Sequence, residues 1–253
     1  MALLAGDAVP ETQMTPLRKG RYTVQPVQTP AQMAQIYALR GTCFGAQAAQ
    51  ADCYDAICTQ VMVQEAHTGR IVAGFRMSVL DGATIGASYA AQFYDLSALA
   101  GFPGPMLELG RFCIHPDHSD PEIPRVGWAA LTAYVDEIGI EMLFGCSSFT
   151  GTDPAPYRDA FAVLRARHLA PARWRPRIKA PQVFEYATQL DGAPGVGAAI
   201  ASLPPLLRTY LMMGGWVSDH AVIDHAMGTL HVFTGLEIGA IPPARKRLLR
   251  ALV

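Results

Sequence analysis

Charge is scarce in this chain. Asp, Glu, Lys and Arg make up only 16% of its 253 residues, against roughly a quarter in an ordinary globular domain. The formal net charge is −1, so no global electrostatic footprint for nucleic acid exists. The shortage points either to apolar surface for a greasy substrate, a partner or a membrane face, or simply to a large alanine-rich core. The five cysteines, Cys43, Cys53, Cys58, Cys113 and Cys146, contain no C-x-x-C pair. A disulfide or zinc framework is therefore not expected, and reduced, buried thiols in the cytoplasm are. The opening MALLAGDAVPETQ lacks the basic and apolar stretches of a signal peptide. No apolar run approaches 18 residues, so no membrane span is expected. No Ser/Gly-rich or charged linker and no internal repeat divides the chain. The expectation is a flexible tail over residues 1–20 and one domain over 21–253, and 51% hydrophobic residues supply a full core.

What is present reads as alternating strands and helices. Tyr22–Pro26 suits a strand, and Thr29 with Pro30 signals the start of a helix toward Cys43, with Met33, Ile36, Tyr37 and Phe44 on one stripe. Gly45–Cys58 reads as a loop, and Val61–Glu65 and Ile71–Val79 as a hairpin turning at His67–Arg70. After a long connection (Leu80–Pro105) come a strand at Leu107–Ile114, a helix at Trp128–Ile138 and a buried strand at Met142–Cys146. Strand, helix and strand in that order demand a right-handed crossover, with the two strands parallel or splayed from parallel. Helices are expected at Pro156–Arg167 and Pro204–Met213, strands at Ala221–Ile223 and Thr229–Leu236, and a basic amphipathic helix at Pro243–Leu252.

The strand Leu107–Ile114 breaks its own pattern. Glu108 and Arg111, followed by His115, stand in an otherwise apolar run, where an unpaired charge is costly. Strict alternation puts Glu108 and Arg111 on opposite faces; a bulge at Gly110 would turn both into one cleft. The pair is either a buried ion pair that fixes strand geometry or the centre of a site. Upstream, Arg40 and Phe44 share a helix face at i,i+4, and Asp52, Asp55 and Arg76 follow. Cys146, Ser147 and Ser148 lack the second glycine of a G-x-S-x-G elbow, which argues against a nucleophile. His115 and His118 flank a proline and find no third ligand at telling spacing, so no metal is expected. Arg125, Val126 and Gly127, read as a loop before the Trp128 helix, offer a helix N-terminus and a cation to a phosphate.

Taken together, ELGRFCIHPDH (108–118), LFGCSSFTGTDP (143–154), HLAP (168–171) and LPPLLRTYLMMGGWV (203–217), with Asp224 soon after, occur in one order across nearly the whole chain. This set resembles the bacterial L-ornithine N(alpha)-acyltransferases of ornithine-lipid synthesis. The resemblance implies an α/β (mixed α+β) architecture of the GCN5-related N-acetyltransferase (GNAT) kind, a central mixed sheet with splayed parallel strands flanked by helices. A more distant similarity to acyl-homoserine lactone synthases places a recurring Arg, Phe, Asp, Asp, Arg, Glu, Arg pattern on Arg40, Phe44, Asp52, Asp55, Arg76, Glu108 and Arg111. The implied reaction moves a 3-hydroxyacyl chain from acyl carrier protein to the α-amine of L-ornithine, giving lyso-ornithine lipid without a bound cofactor. Within it, Glu108 is the expected base, with Arg111 as its catalytic partner. Arg76 or Arg111 would grip the acceptor carboxylate, and Asp52 or Asp55 a δ-ammonium. Ser147 and Ser148 join the substrate contacts, and Cys113, Ile114, Arg125 and Gly127 the donor contacts.

In the acetyl-coenzyme-A enzymes of the superfamily the phosphate loop reads R/Q-x-x-G-x-G/A. Here Arg125-Val126-Gly127-Trp128-Ala129 is one residue short, which agrees with a carrier-protein donor. Arg165, Arg167, Arg173, Arg175, Arg177 and Lys179 would form its docking patch, unless they are only a solvated surface run. The terminal basic helix would touch an anionic membrane from the cytoplasmic side. In the family a His commonly stands at the position of Gln60 and an acidic residue at that of His231, so glutamine is the alternative acceptor. The competing readings are an acyl-homoserine lactone synthase and a degenerate acyltransferase fold used as a binding module.

Overall fold

The computed structural model describes residues 14–191 and 196–251. In chain order they form β1 (Leu17–Lys19), β2 (Tyr22–Pro26), α1 (Pro30–Phe44), β3 (Thr59–Glu65), β4 (Ile71–Leu80), β5 (Tyr94–Asp95) and β6 (Met106–Ile114). Then follow α2 (Glu122–Ile138), β7 (Met142–Thr150), α3 (Arg158–Arg167), β8 (Arg177–Ile178), β9 (Val183–Phe184), α4 (Tyr186–Gln189), α5 (Val196–Ser202) and α6 (Pro205–Met212). The last elements are β10 (Trp216–Val217), β11 (Ala221–Asp224), β12 (Thr229–Glu237) and α7 (Pro243–Arg250).

One mixed sheet runs β1-β2-β3-β4-β6-β7-β12-β11-β9, with β10 added alongside β12. Alternation sorts its two faces. Val61, Val63, Phe75, Leu107, Leu109 and Leu143 pack against Ile123, Val126 and Leu131 of α2, with Tyr210 and Met213 from the α6 region joining them. On the opposite face Met62 and Cys113 meet Ile36 and Leu39 of α1, while Met106, Phe144 and Phe233 meet Tyr94, Leu96 and Leu99 of the 80–105 connection. Helix α1 begins with a reciprocal capping box between Thr29 and Gln32, satisfying donors that a helix end otherwise leaves open.

β6 and β7, joined through α2, are parallel, and their pairing stops after three residues, at Glu108–Phe144. β7 then continues on β12 as far as Thr150, while β6 stays with β4. The two strands separate just past Gly145, where a Cβ would lie 2.3 Å from Leu109 O; only glycine admits that approach before the strands open.

Several expectations shift. Of the tail over residues 1–20, the first thirteen residues lie outside the described residues; Met14 is buried and Leu17–Lys19 pairs with β2. α2 starts six residues before the expected Trp128, because Pro124 is tolerated within a first helical turn. β7 runs four residues beyond Cys146 and carries Ser147 and Ser148 with it. The bulge is not at Gly110 but one residue on: Arg111 and Phe112 together oppose Phe75, and Arg111 takes φ +53°. A left-handed conformation at a non-glycine residue costs of order 1–3 kcal/mol and persists only where its surroundings enforce it. The terminal helix α7 is held to α2 by Arg250, whose Nε and Nη2 donate to Asp136 at 2.8 and 2.9 Å.

Candidate active site

A cavity of ≈ 260 Å³ opens where β6 and β7 diverge. β6 contributes Glu108 through Phe112 to its wall, β7 contributes Cys146, Ser147 and Ser148, and β11 and β12 contribute Asp224, Thr229 and His231. Phe44, Cys58, Arg76, Tyr89, Met227 and Pro204–Leu206 complete it. The bulge at Arg111 brings both Glu108 and Arg111 to the same space, as the cleft alternative required.

Behind the Arg111 side runs a ladder of ion pairs. Arg40 Nη1 donates to Asp55 Oδ1 at 2.8 Å, and Arg76 Nη1 donates to the same oxygen at 2.8 Å and to Asp52 Oδ1 at 2.6 Å. Arg111 Nη2 donates to Asp52 Oδ2 at 3.2 Å. Gln60 closes the buried end, accepting from Arg40 Nη2 and donating to Asp55 Oδ1 at 3.1 Å. Burial alone would raise the Asp55 carboxyl, but Arg40, the Asp52 backbone and Arg76 more than reverse it and hold it below the usual carboxylate range. Asp52 is likewise lowered, with Arg76 and then Arg111 outweighing its burial. The loop that carries both aspartates is set by Asp52 itself, whose Oδ1 accepts the N–H groups of Tyr54 and Asp55. Arg40, Asp52 and Asp55 thus do not line the cleft; they hold Arg76 and Arg111 from behind. Arg76 is 2% exposed, with its charge engaged by two aspartates and its guanidinium 5.2 Å from the Tyr89 ring centroid. Arg111 is the accessible end, stacked 5.3 Å from the same ring.

Glu108 is buried, and each of its oxygens accepts a backbone N–H at 2.8 Å, from Tyr89 and from Ala90. Burial raises its carboxyl more than those bonds and Arg76 lower it, so its proton affinity is above the ordinary value. The same bonds seat the Tyr89 turn over the cleft. Burial also pushes the Cys146 thiol well up and that of Cys58 to about 11, so neither carries a thiolate at neutral pH. Ser147 Oγ is occupied, accepting from Thr234 Oγ1 at 2.9 Å, while Ser148 is exposed.

The donor set fares differently. Cys113 is buried against α1, Ile114 pairs with Ala73 and accepts at its carbonyl from Cys43 Sγ, and neither lines the cleft. Arg125 and Gly127 lie inside α2 rather than in a loop before it. Arg125 is exposed and paired with Glu122, and Gly127 is buried behind Phe112. The basic cluster is largely engaged elsewhere: Arg175 donates to Ala170 O, Lys179 to Ala91 O and Arg173 to Glu237. None of its six members lines the cleft. The cleft also takes Tyr89 and Met227, which sequence reasoning left out, and Asp224 and His231, which it named only in the family comparison and not as site residues. The first two come from connections without periodic signal; Asp224 and His231 were visible as polar breaks in apolar strands.

Sheet order, splayed parallel pair and the cleft between its strands have the form of the GNAT-like acyltransferase fold. The family model for an acetyltransferase (GNAT) domain matches residues 35–129. Over 175 residues the chain is 37% identical to L-ornithine N(alpha)-acyltransferase of Rhodobacter capsulatus, covering 68% of this chain and 66% of that one. With the enzyme of the same name from Brucella abortus it shares 30% over 200 residues, 76% of this chain and 71% of the other. The chain belongs to this L-ornithine N(alpha)-acyltransferase family, and spans about two thirds of the length of these relatives. Among solved structures, FeeM, an N-acyl amino acid synthase from uncultured soil microbes, aligns over 94% of this chain and 99% of its own at 14% identity and a TM-score of 0.49.

Replacing Asp55 by Asn leaves Arg40 and Arg76 short of a buried anion, and we expect a loss of roughly 3–5 kcal/mol in urea unfolding at pH 7. The pH dependence has a definite sign. Carboxyls lowered in the folded state stabilise fully above their unfolded value of about 4 and lose that contribution as pH falls through the folded values. Stability of Asp55→Asn should therefore decline less steeply in acid than that of the unaltered protein, and identical acid limbs would contradict the ladder.

Proposed function

We propose that this chain transfers a 3-hydroxyacyl group from the phosphopantetheine thioester of acyl carrier protein to the α-amine of L-ornithine, giving lyso-ornithine lipid. The observation that carries the reading is the 37% identity to a relative of that name. The cleft supports it: Phe44, Leu109, Phe112 and Leu206 offer an apolar wall to an acyl chain, and Arg111 offers a guanidinium to the acceptor carboxylate.

The amine nitrogen attacks the thioester carbonyl, the C–S bond breaks, and the thiolate leaves with a proton. An α-amine is mostly protonated at pH 7, so a group must first take its proton, directly or through water. Glu108 fills that role, its proton affinity raised by burial. Past Glu108 the edge of β6 that faced β7 is unpaired, and its N–H groups meet the tetrahedral oxyanion. The half-buried thiols of Cys146 and Cys58, held protonated, favour direct transfer over an acyl-enzyme.

Mass spectrometry after incubation with 3-hydroxyacyl carrier protein, with acyl-coenzyme A as the rival donor, and ornithine, glutamine, lysine or S-adenosylmethionine as acceptor tests the reading. The expected product is ornithine acylated on its α-nitrogen from the carrier protein; a lactone from S-adenosylmethionine would instead identify the signal synthase. In the same assay Glu108→Gln should lose most of its turnover. An amide accepts with only one atom, so the variant also strands a backbone N–H and should lose about 1–3 kcal/mol of stability. Full turnover in the folded variant would remove Glu108 as the base.

A further inference from the structure

Four aspartate or glutamate carboxylates stand in or behind the cleft wall, and three have partners on both oxygens. Asp55 and Asp52 are held by arginines, and Glu108 by two backbone N–H groups. Asp224 differs. It is 7% exposed, lines the cleft, and among the described residues accepts only the Met227 N–H, on Oδ1 at 3.0 Å. The antiparallel register places Asp224 opposite Thr229 and Val222 opposite His231, so Asp224 and His231 are diagonal neighbours on one face.

The hydrogen bonds of His231 fix its tautomer. The Tyr94 hydroxyl has one proton and lies 2.8 Å from the His231 carbonyl oxygen, which can only accept, and 3.1 Å from Nδ1. Both contacts are satisfied together only when Tyr94 donates to the carbonyl and Nδ1–H donates to Tyr94. Nε2, on the other edge of the ring, then carries a lone pair; it is buried and has no partner among the described residues. Burial pulls the imidazole down to about 4, against a smaller opposing influence of Asp224, so the ring is neutral at physiological pH.

This corner holds two acceptors, one of them an anion, and suits a group made of donors that carries positive charge. In the reading above Glu108 already serves the reacting amine, so the corner on the other wall fits the amine that does not react. We propose that Asp224 and His231 bind the side-chain ammonium of a diamino-acid acceptor and thereby set which amino acid the cleft takes. The inference rests on the acyl-transfer reading above and replaces Asp52 and Asp55 in the ammonium role.

Ornithine and norvaline differ only in the terminal amine, so the ratio of their kcat/KM values with one carrier-bound donor reads this corner alone. The unaltered protein should favour ornithine by at least about tenfold, because an unpaired buried acceptor penalises the analogue that lacks the donor. Asp224→Asn should bring the ratio down toward one, and His231→Phe should lower it by a smaller factor; the second variant carries the test if the first does not fold. A ratio near one in the unaltered protein, or a ratio kept within about twofold in the folded variants, overturns the inference while leaving acyl transfer standing. No acylation of any amino acid by the unaltered protein would defeat both.

Discussion

The ladder Arg40–Asp55–Arg76–Asp52–Arg111 is the interaction on which the rest of the site depends. It joins four parts of the chain, helix α1, the 45–58 loop, β4 and the bulge of β6. Three cations meet two anions, and Glu108, close enough to Arg76 to feel its charge, brings the group near neutrality. Taking that many charges out of water is repaid only when each is bonded well, and here nearly every lone pair of the two aspartates is used. The consequence is rigidity: Arg111 is held in a backbone conformation that a free arginine would leave, and its side chain reaches the cleft that Glu108 also lines.

That arrangement divides labour among side chains of similar chemistry. Arginines and aspartates at the buried end are structural, while the accessible functions are left to those at the edge, Arg111 on one side and the Asp224–His231 corner on the other. Between them the splayed strands give unpaired backbone and an apolar wall. An amino acid with opposite charges at its ends and an acyl chain on a thioester are the reactants such a space accommodates. In the proposed reaction the half-buried, protonated thiols of Cys58 and Cys146 leave the carbonyl to the amine.

The order of strands and helices was legible because alternation and capping signals were strong: Thr29-Pro30 with Gln32, the His67–Arg70 turn, the apolar run of β7. So was the position of chemistry, since Glu108 and Arg111 interrupted an apolar strand. What local pattern could not carry was partnership. Nothing in D-x-x-D tells that both aspartates serve arginines rather than substrate, or that Glu108 caps a turn nineteen residues upstream. A helix start at Trp128 puts Arg125 and Gly127 in a loop, whereas Pro124 sits in a first helical turn that accepts it and both residues are helical. His231 and Asp224 needed the register of β11 on β12 to be seen as one corner.

A ladder that stays closed during binding leaves Arg111, and not Arg76, to receive the acceptor. A crystal structure of the protein with ornithine bound measures this directly. The α-carboxylate should lie within hydrogen-bond distance of the Arg111 guanidinium, with Arg76 still bonded to Asp52 and Asp55. An acceptor carboxylate seated on Arg76 with those aspartates displaced, or an acceptor bound outside the cleft, would contradict it.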